Sequence, residues 1–117
     1  MQSSRPRRKE RDLPPEDRRR VERALADLDI TKWEAWNDLD VLATRTTVEE
    51  IEVLSSQISG PPENITGLFN VHVRLSYDMG DQELVNNDAF PATFRAHLEG
   101  DEVVFDEVEV DTSSFYL

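Results

Sequence analysis

A chain of 117 residues has room for one hydrophobic core, and with 38% hydrophobic, 32% charged and 8% aromatic residues that core is modest. The absence of cysteine excludes disulfide stapling, thiolate nucleophiles and cysteine metal sites, in keeping with a reducing compartment. The formal charge of −12 repels nucleic-acid backbone and membrane surfaces and attracts cations or basic partners.

The charge is divided by position: Met1 to Arg23 carry nine Lys/Arg against five Asp/Glu, and Ala24 to Leu117 carry four against twenty. Lysine is nearly absent, only Lys9 and Lys32, so an organism-wide adaptation to salt accounts for the acidity as readily as a dedicated device. No apolar run approaches the roughly 18 residues of a spanning helix, and Gln2 to Arg11 lack the apolar stretch of a secretory signal. The expectation is a cytoplasmic protein.

Residues 1–13 are Ser, Arg, Pro, Lys and Glu with almost nothing apolar, which reads as a disordered basic arm. Its Arg7-Arg8-Lys9 cluster is the one place where direct nucleic-acid contact is expected. A single α+β domain then covers 14–117. Pro14-Pro15 followed by Glu16 and Asp17 is a helix start, because proline loses nothing where no amide donor is needed and early acids oppose the positive dipole end. A helix is predicted near Glu16 to Asp29, with Val21, Ala24, Leu25 and Leu28 forming one apolar stripe. Thr31 and Glu34 have capping-box spacing and predict a short second helix with Trp33 and Trp36 on one side, anchoring it to a sheet.

Beyond Val41 the apolar period falls to about two, the mark of strands with one buried face. In the strand from Ile65 to Tyr77, Gly67, Phe69, Val71, Val73, Leu75 and Tyr77 point inward. Asp78 to Ala89 reads as a polar connection, and the next strand carries Phe90, Ala92, Phe94, Ala96 and Leu98 inward, with Pro91 marking its beginning or an edge. Glu99-Gly100-Asp101-Glu102 reads as a tight II′ hairpin turn. In the last strand Val103 and Phe105 share a face while Val108 and Val110 have switched parity, which predicts a β-bulge at Asp106-Glu107. Val48 to Val53 match Phe105 to Val110 in class at each position, and shared acidic-strand chemistry explains the likeness better than duplication. The expected core is Val21, Leu25, Leu28, Trp33, Trp36, Phe69, Val71, Val73, Leu75, Phe90, Phe94, Leu98 and Phe105. The terminal Phe115-Tyr116, after a cap-like Asp-Thr-Ser-Ser, is expected to dock back onto it.

Two sets of residues are candidates for function. His72, Arg74, Arg95 and His97 sit on outward faces of two strands and form a candidate anion-binding patch, which acids on flanking strands would neutralise as a structural ladder. Two registers are open: one pairs His72 with His97 and Arg74 with Arg95, and a shift of two residues sets a His opposite an Arg. Glu49, Glu50, Glu52, Glu107 and Glu109 form a candidate acidic surface. Asp38/Asp40, Asp78/Asp81 and Asp106/Glu107 could each bind a divalent ion weakly, but no metal motif accompanies them, and there is no phosphate-cradling loop or nucleophile elbow. No cofactor, metal site or catalytic residue is assigned.

The order Val71 to Tyr77, then Asn86-Asn87-Asp88-Ala89-Phe90-Pro91-Ala92-Thr93-Phe94, then Val110 to Tyr116 resembles the C-terminal β-rich accessory domain of bacterial conflict and defence proteins that carry PIN-like or Piwi-associated predicted nuclease domains. The resemblance covers the second half of the chain. It implies a non-catalytic module whose nuclease chemistry would lie in a separate upstream domain.

The sequence thus predicts an α+β fold, with an N-terminal helix packed on a twisted antiparallel sheet of about four strands. The expected function is a small non-enzymatic protein-binding or regulatory module acting on a protein partner. The alternatives are an acidic immunity or antitoxin protein that mimics nucleic-acid charge, and a metal-dependent hydrolase.

Overall fold

The computed structural model describes residues 13–116. The predicted basic arm falls outside them except for Leu13, which is buried in the core, so the folded unit begins one residue earlier than its composition suggests. Helix α1, Pro15–Ala26, starts where the prolines and early acids place it and buries Val21 and Leu25 completely. It stops three residues short of the expected end. Asp29 accepts a hydrogen bond from the Thr31 amide at 3.1 Å and opens a 3-10 turn, Ile30–Lys32. Thr31 is thereby engaged by Asp29, and the expected Thr31–Glu34 box does not form: Glu34 precedes α2, Ala35–Asp40, without a side-chain cap. Trp33 consequently lies in the bend after the 3-10 turn and Trp36 in α2, both only half buried, while Ile30, Leu39 and Leu42 anchor this segment.

Four strands follow as an antiparallel meander in the order β1-β2-β3-β4: β1 Arg45–Val53, β2 Ile65–Met79, β3 Gln82–Glu99 and β4 Glu102–Val110. Phe69, Val71, Val73 and Leu75 of β2 and Phe90, Phe94 and Ala96 of β3 are buried on the face that carries the helices. Arg18 ties α1 to the loop after β1, its guanidinium donating to the carbonyls of Ser55 at 3.0 Å and Ile58 at 2.6 Å. Leu28, Leu98 and Phe105, expected as core, sit at its margin, and Phe115 docks there with its ring edge-on to Phe90 at 6.4 Å.

Asp78 to Ala89 is strand apart from the two-residue turn Gly80-Asp81, because a ladder is made by backbone groups and polar side chains do not prevent it. β2 and β3 pair continuously from Ile65↔Ala96 to Met79↔Gln82, turning on Gly80-Asp81 just as β3 and β4 turn on Gly100-Asp101. Glycine leads both two-residue loops with φ of +77° and +62°, a region that a side chain disfavours. Pro91 therefore lies mid-strand. Its missing N–H faces β4, and pairing with β4 ends beside it, Asp111 donating to the Pro91 carbonyl at 2.9 Å without a return bond.

The bulge expected at Asp106-Glu107 is present, since the register slips between Arg95↔Glu107 and Ala96↔Phe105 and leaves Asp106 unpaired. An equivalent slip between Val48 and Glu50 leaves Glu49 unpaired. The two matching six-residue segments are thus both bulged outer strands, which explains their likeness without duplication.

Candidate functional site

The face of the sheet away from the helices carries exposed and half-buried side chains. The register sorts them into cross-strand rows: Arg95 and Glu107 with Thr66, Glu109 and Thr93 with Leu68, Glu52 with Asn70, Glu50 and Ala89 with His72, and Thr47 and Asn87 with Arg74. Neither register open at the sequence level is the one adopted. His72 lies opposite Ala89 and Arg74 opposite Asn87, while Arg95 lies opposite Thr66, six residues or roughly 20 Å along β2 from His72. The four basic residues do not form one patch. The turn at Gly80-Asp81 fixes this pairing, and its likeness to Gly100-Asp101 was the signal in the sequence that locates it.

Arg95 and His97 are held by acids. The Arg95 guanidinium lies 3.5 Å from Glu107 and 3.8 Å from Asp106. His97 bonds Asp106 through Nδ1 and Glu99 through Nε2, each at 2.8 Å, and hydrogen bonds first to Asp106 and then to Glu99 raise its pKa. With both ring nitrogens donating, His97 is a clamp across the bulge and has no free nitrogen for acid–base work.

The other half is differently arranged. His72 Nε2 meets Glu52 Oε1 at 2.8 Å, and Asn70 donates to the same oxygen at 3.3 Å. These bonds, His72 first, hold the Glu52 carboxyl below its ordinary range. In a neutral His72 ring, an ionised Glu52 selects the Nε2–H tautomer, in which Nδ1 is the acceptor. Two positions along β2, Arg74 is exposed and has no carboxylate within ion-pair distance among the described residues. Thr47 and Asn87 flank it, and Arg45 lies one row further on, opposite Ser76 and 4.0 Å from Glu83. Asn70, Thr47, Asn87 and Arg45 were not singled out in the sequence, because only the register brings them beside His72 and Arg74.

The expected acidic surface is also divided. Glu49, Glu50 and Glu52 lie on β1, whereas Glu107 and Glu109 lie on β4, across two intervening strands and roughly 14 Å away. A shallow trough of about 380 Å³ runs over Leu68, Thr93 and Glu109 at the β4 end, and a hollow of about 640 Å³ lies between β4 and Trp33. No group of three or more His, Asp or Glu among the described residues is placed to hold a metal ion. None of the described helices is long and apolar enough to cross a membrane.

These features define an open-faced α+β module: helices on one side of a four-stranded antiparallel meander, and on the other a Glu–His pair beside an Arg that has no carboxylate partner among the described residues. The sequence model of the family described as Predicted pPIWI-associating nuclease matches residues 10–116, and the chain belongs to that family. The match takes in the helices and the first strand as well as the second half that carried the resemblance. No curated protein and no solved structure matches the chain.

Proposed function

We propose that this chain is a nuclease of a Piwi-associated defence system, and that it cleaves RNA on the open face of the sheet with Glu52, His72 and Arg74. The observation that carries this reading is the Glu52–His72 hydrogen bond of 2.8 Å beside an arginine free of carboxylates among the described residues; the family description gives it context. Arg74 supplies a forked donor for a phosphodiester, with Thr47 and Asn87 as neutral neighbours. His72 Nδ1 takes the proton of the ribose 2′-hydroxyl, and Glu52 stabilises the imidazolium so formed. The 2′-oxygen bonds to phosphorus, the bond from phosphorus to the 5′-oxygen breaks, and that oxygen takes a proton from solvent. The products are a 2′,3′-cyclic phosphate and a 5′-hydroxyl. RNA is preferred over DNA because the nucleophile is then part of the substrate, and one general base suffices.

The test is a labelled single-stranded RNA and the same strand with one 2′-deoxynucleotide. Cleavage should stop at the deoxy position and leave cyclic phosphate ends. His72→Ala should lower the rate about 10²- to 10⁴-fold, with the circular dichroism spectrum kept. Arg95→Gln, in the other half of the face, should leave the rate within a few-fold. An inactive wild-type chain, or activity indifferent to His72→Ala, sinks the reading.

A second reading, the non-enzymatic protein-binding module expected from the sequence, is favoured by a different feature: Met79, Leu84 and Val85 are exposed near the β2–β3 hairpin end, Leu84 and Val85 on opposite faces. A fold that keeps this apolar end while His72→Ala changes nothing would favour it.

A further inference from the structure

Among the described residues, each of the sheet's strands has a side not covered by another strand along some of its length, β2 only beyond Phe69 and Ser76, where its pairing with β1 ends. β1 and β4 are outermost, and each is interrupted by a bulge on an acidic residue, Glu49 and Asp106. Such bulges blunt an edge against further pairing. β3 is different. β4 covers it only from Ala92 to Glu99, so its first part, Gln82 to Pro91, has β2 on one side and no strand of the described residues on the other.

The direction of each backbone group there follows from three bonds. Ser59 and Thr66 exchange both bonds at 2.9 Å, so even-numbered β2 residues face away from β3 and odd-numbered ones toward it. The β2–β3 register then turns even-numbered β3 residues to β2, in agreement with the Leu98 amide donating to the Pro62 carbonyl. Asp111 donating to the Pro91 carbonyl places odd-numbered β3 residues on the opposite side. Glu83, Val85, Asn87 and Ala89 therefore direct their N–H and C=O groups outward. The Ala89 amide is taken by the Asp88 carboxylate at 2.8 Å, and the amides of Val85 and Asn87 have no acceptor among the described residues. This stretch is regularly paired with β2, without bulge or proline before Pro91, and Leu84 and Val85 are exposed on its two faces.

We infer that the outer edge of β3 from Glu83 to Ala89 is a strand-addition site for an extended, basic segment of a partner protein. Main-chain bonds to Val85 and Asn87 supply the pairing, and side chains above and below meet Val85 on one face and Leu84 on the other. Charge selects the occupant. Asp78, Asp81, Glu83 and Asp88 surround the edge, with Arg45 the one basic side chain bonded to any of them among the described residues. A second copy would bring two such acid sets together on bodies already strongly negative, whereas Lys or Arg at alternate positions is attracted. Pro91 ends the site by withholding a donor on that side. The site is independent of whether the open face cleaves RNA.

The probe is a ten-residue peptide alternating Lys with Val or Thr, titrated into the full chain while amide hydrogen exchange is followed. Exchange at Val85 and Asn87 should slow on binding, with Leu84 and Asn86 already protected in the free protein. The same peptide methylated at every second amide nitrogen should lose tenfold or more in affinity. Val85→Pro and Asn87→Pro each remove an outward N–H and no bond to β2, so each should leave the fold intact by circular dichroism and weaken binding tenfold or more. Equal affinity of the methylated peptide would reduce the interaction to charge attraction and overturn the proposal. So would protection of Val85 and Asn87 without peptide, whether it grows with protein concentration, marking a second copy, or disappears when Arg5, Arg7, Arg8, Lys9 and Arg11 are changed to Ser, marking the chain's own basic residues.

Discussion

At the scale of single residues, His97 and Gly67 show how much geometry rests on one position. The bonds from His97 to Asp106 and Glu99 raise its pKa above the ordinary 6.5. A group whose folded value is raised contributes stability that is complete below the unfolded value and is lost as pH rises through the folded one. The difference in unfolding free energy between wild type and His97→Gln should therefore be largest below pH 6.5 and shrink as the pH is raised above it, which urea titrations on both sides of that value will read. An unchanging difference would mean that His97 acts through packing alone. Gly67 is needed for a different reason. A Cβ there would stand 2.7 Å from the Phe94 ring and 3.1 Å from the Gln57 carbonyl. Gly67→Ala should cost about 1–3 kcal/mol by overpacking, measured as a shift of the denaturation midpoint with the slope unchanged.

At the scale of elements, Arg18 is the joint between the helical layer and the loop that returns β1 to β2. Its two bonds to backbone carbonyls are charge-assisted, the one to Ile58 partly buried and the one to Ser55 exposed. Arg18→Gln should lower stability by about 1–2 kcal/mol and speed proteolysis between Leu54 and Ser59, whereas Arg19→Gln on the exposed side of α1 should do neither. The elements also separate what the sequence makes legible from what it hides. Phe69, Val71, Val73 and Leu75 declare their strand because burial on one face imposes a period of two. The parity switch between Phe105 and Val108 declares the bulge for the same reason. The hairpin arm from Tyr77 to Ala89 buries little and so prints no hydrophobic pattern, although its backbone ladder is continuous. The helix end at Ala26 was hidden by a competition between neighbours, since Asp29 and Glu34 both have a side chain able to serve Thr31 and only coordinates say which one does. The candidate site depends on register, and register was open until a two-residue turn was placed at Gly80-Asp81. His72 and Glu52 could be named from the sequence, but their meeting could not.

At the scale of the whole molecule, the acidity sets a sign for the effect of salt. The four Lys/Arg and twenty Asp/Glu from Ala24 onward act over a screening length of roughly 30 Å at 0.01 M salt but only about 3 Å at 1 M. Raising salt should relieve self-repulsion in the folded body, and relief worth about 1 kcal/mol would raise the melting temperature by roughly 5 °C. For RNA cleavage, two electrostatic effects then compete. Contact between Arg74 and a phosphate weakens with salt, as in any basic nucleic-acid site. Long-range repulsion between the acidic body and the RNA weakens as well, and with one arginine against an excess of sixteen negative charges it is the larger effect. KM for RNA should accordingly fall as salt rises from about 0.05 to 0.5 M, the reverse of a basic nuclease, while kcat changes little because the Glu52–His72 bond is short-ranged. A KM that climbs steeply over that range would place RNA on the basic residues before Leu13 and not on the open face.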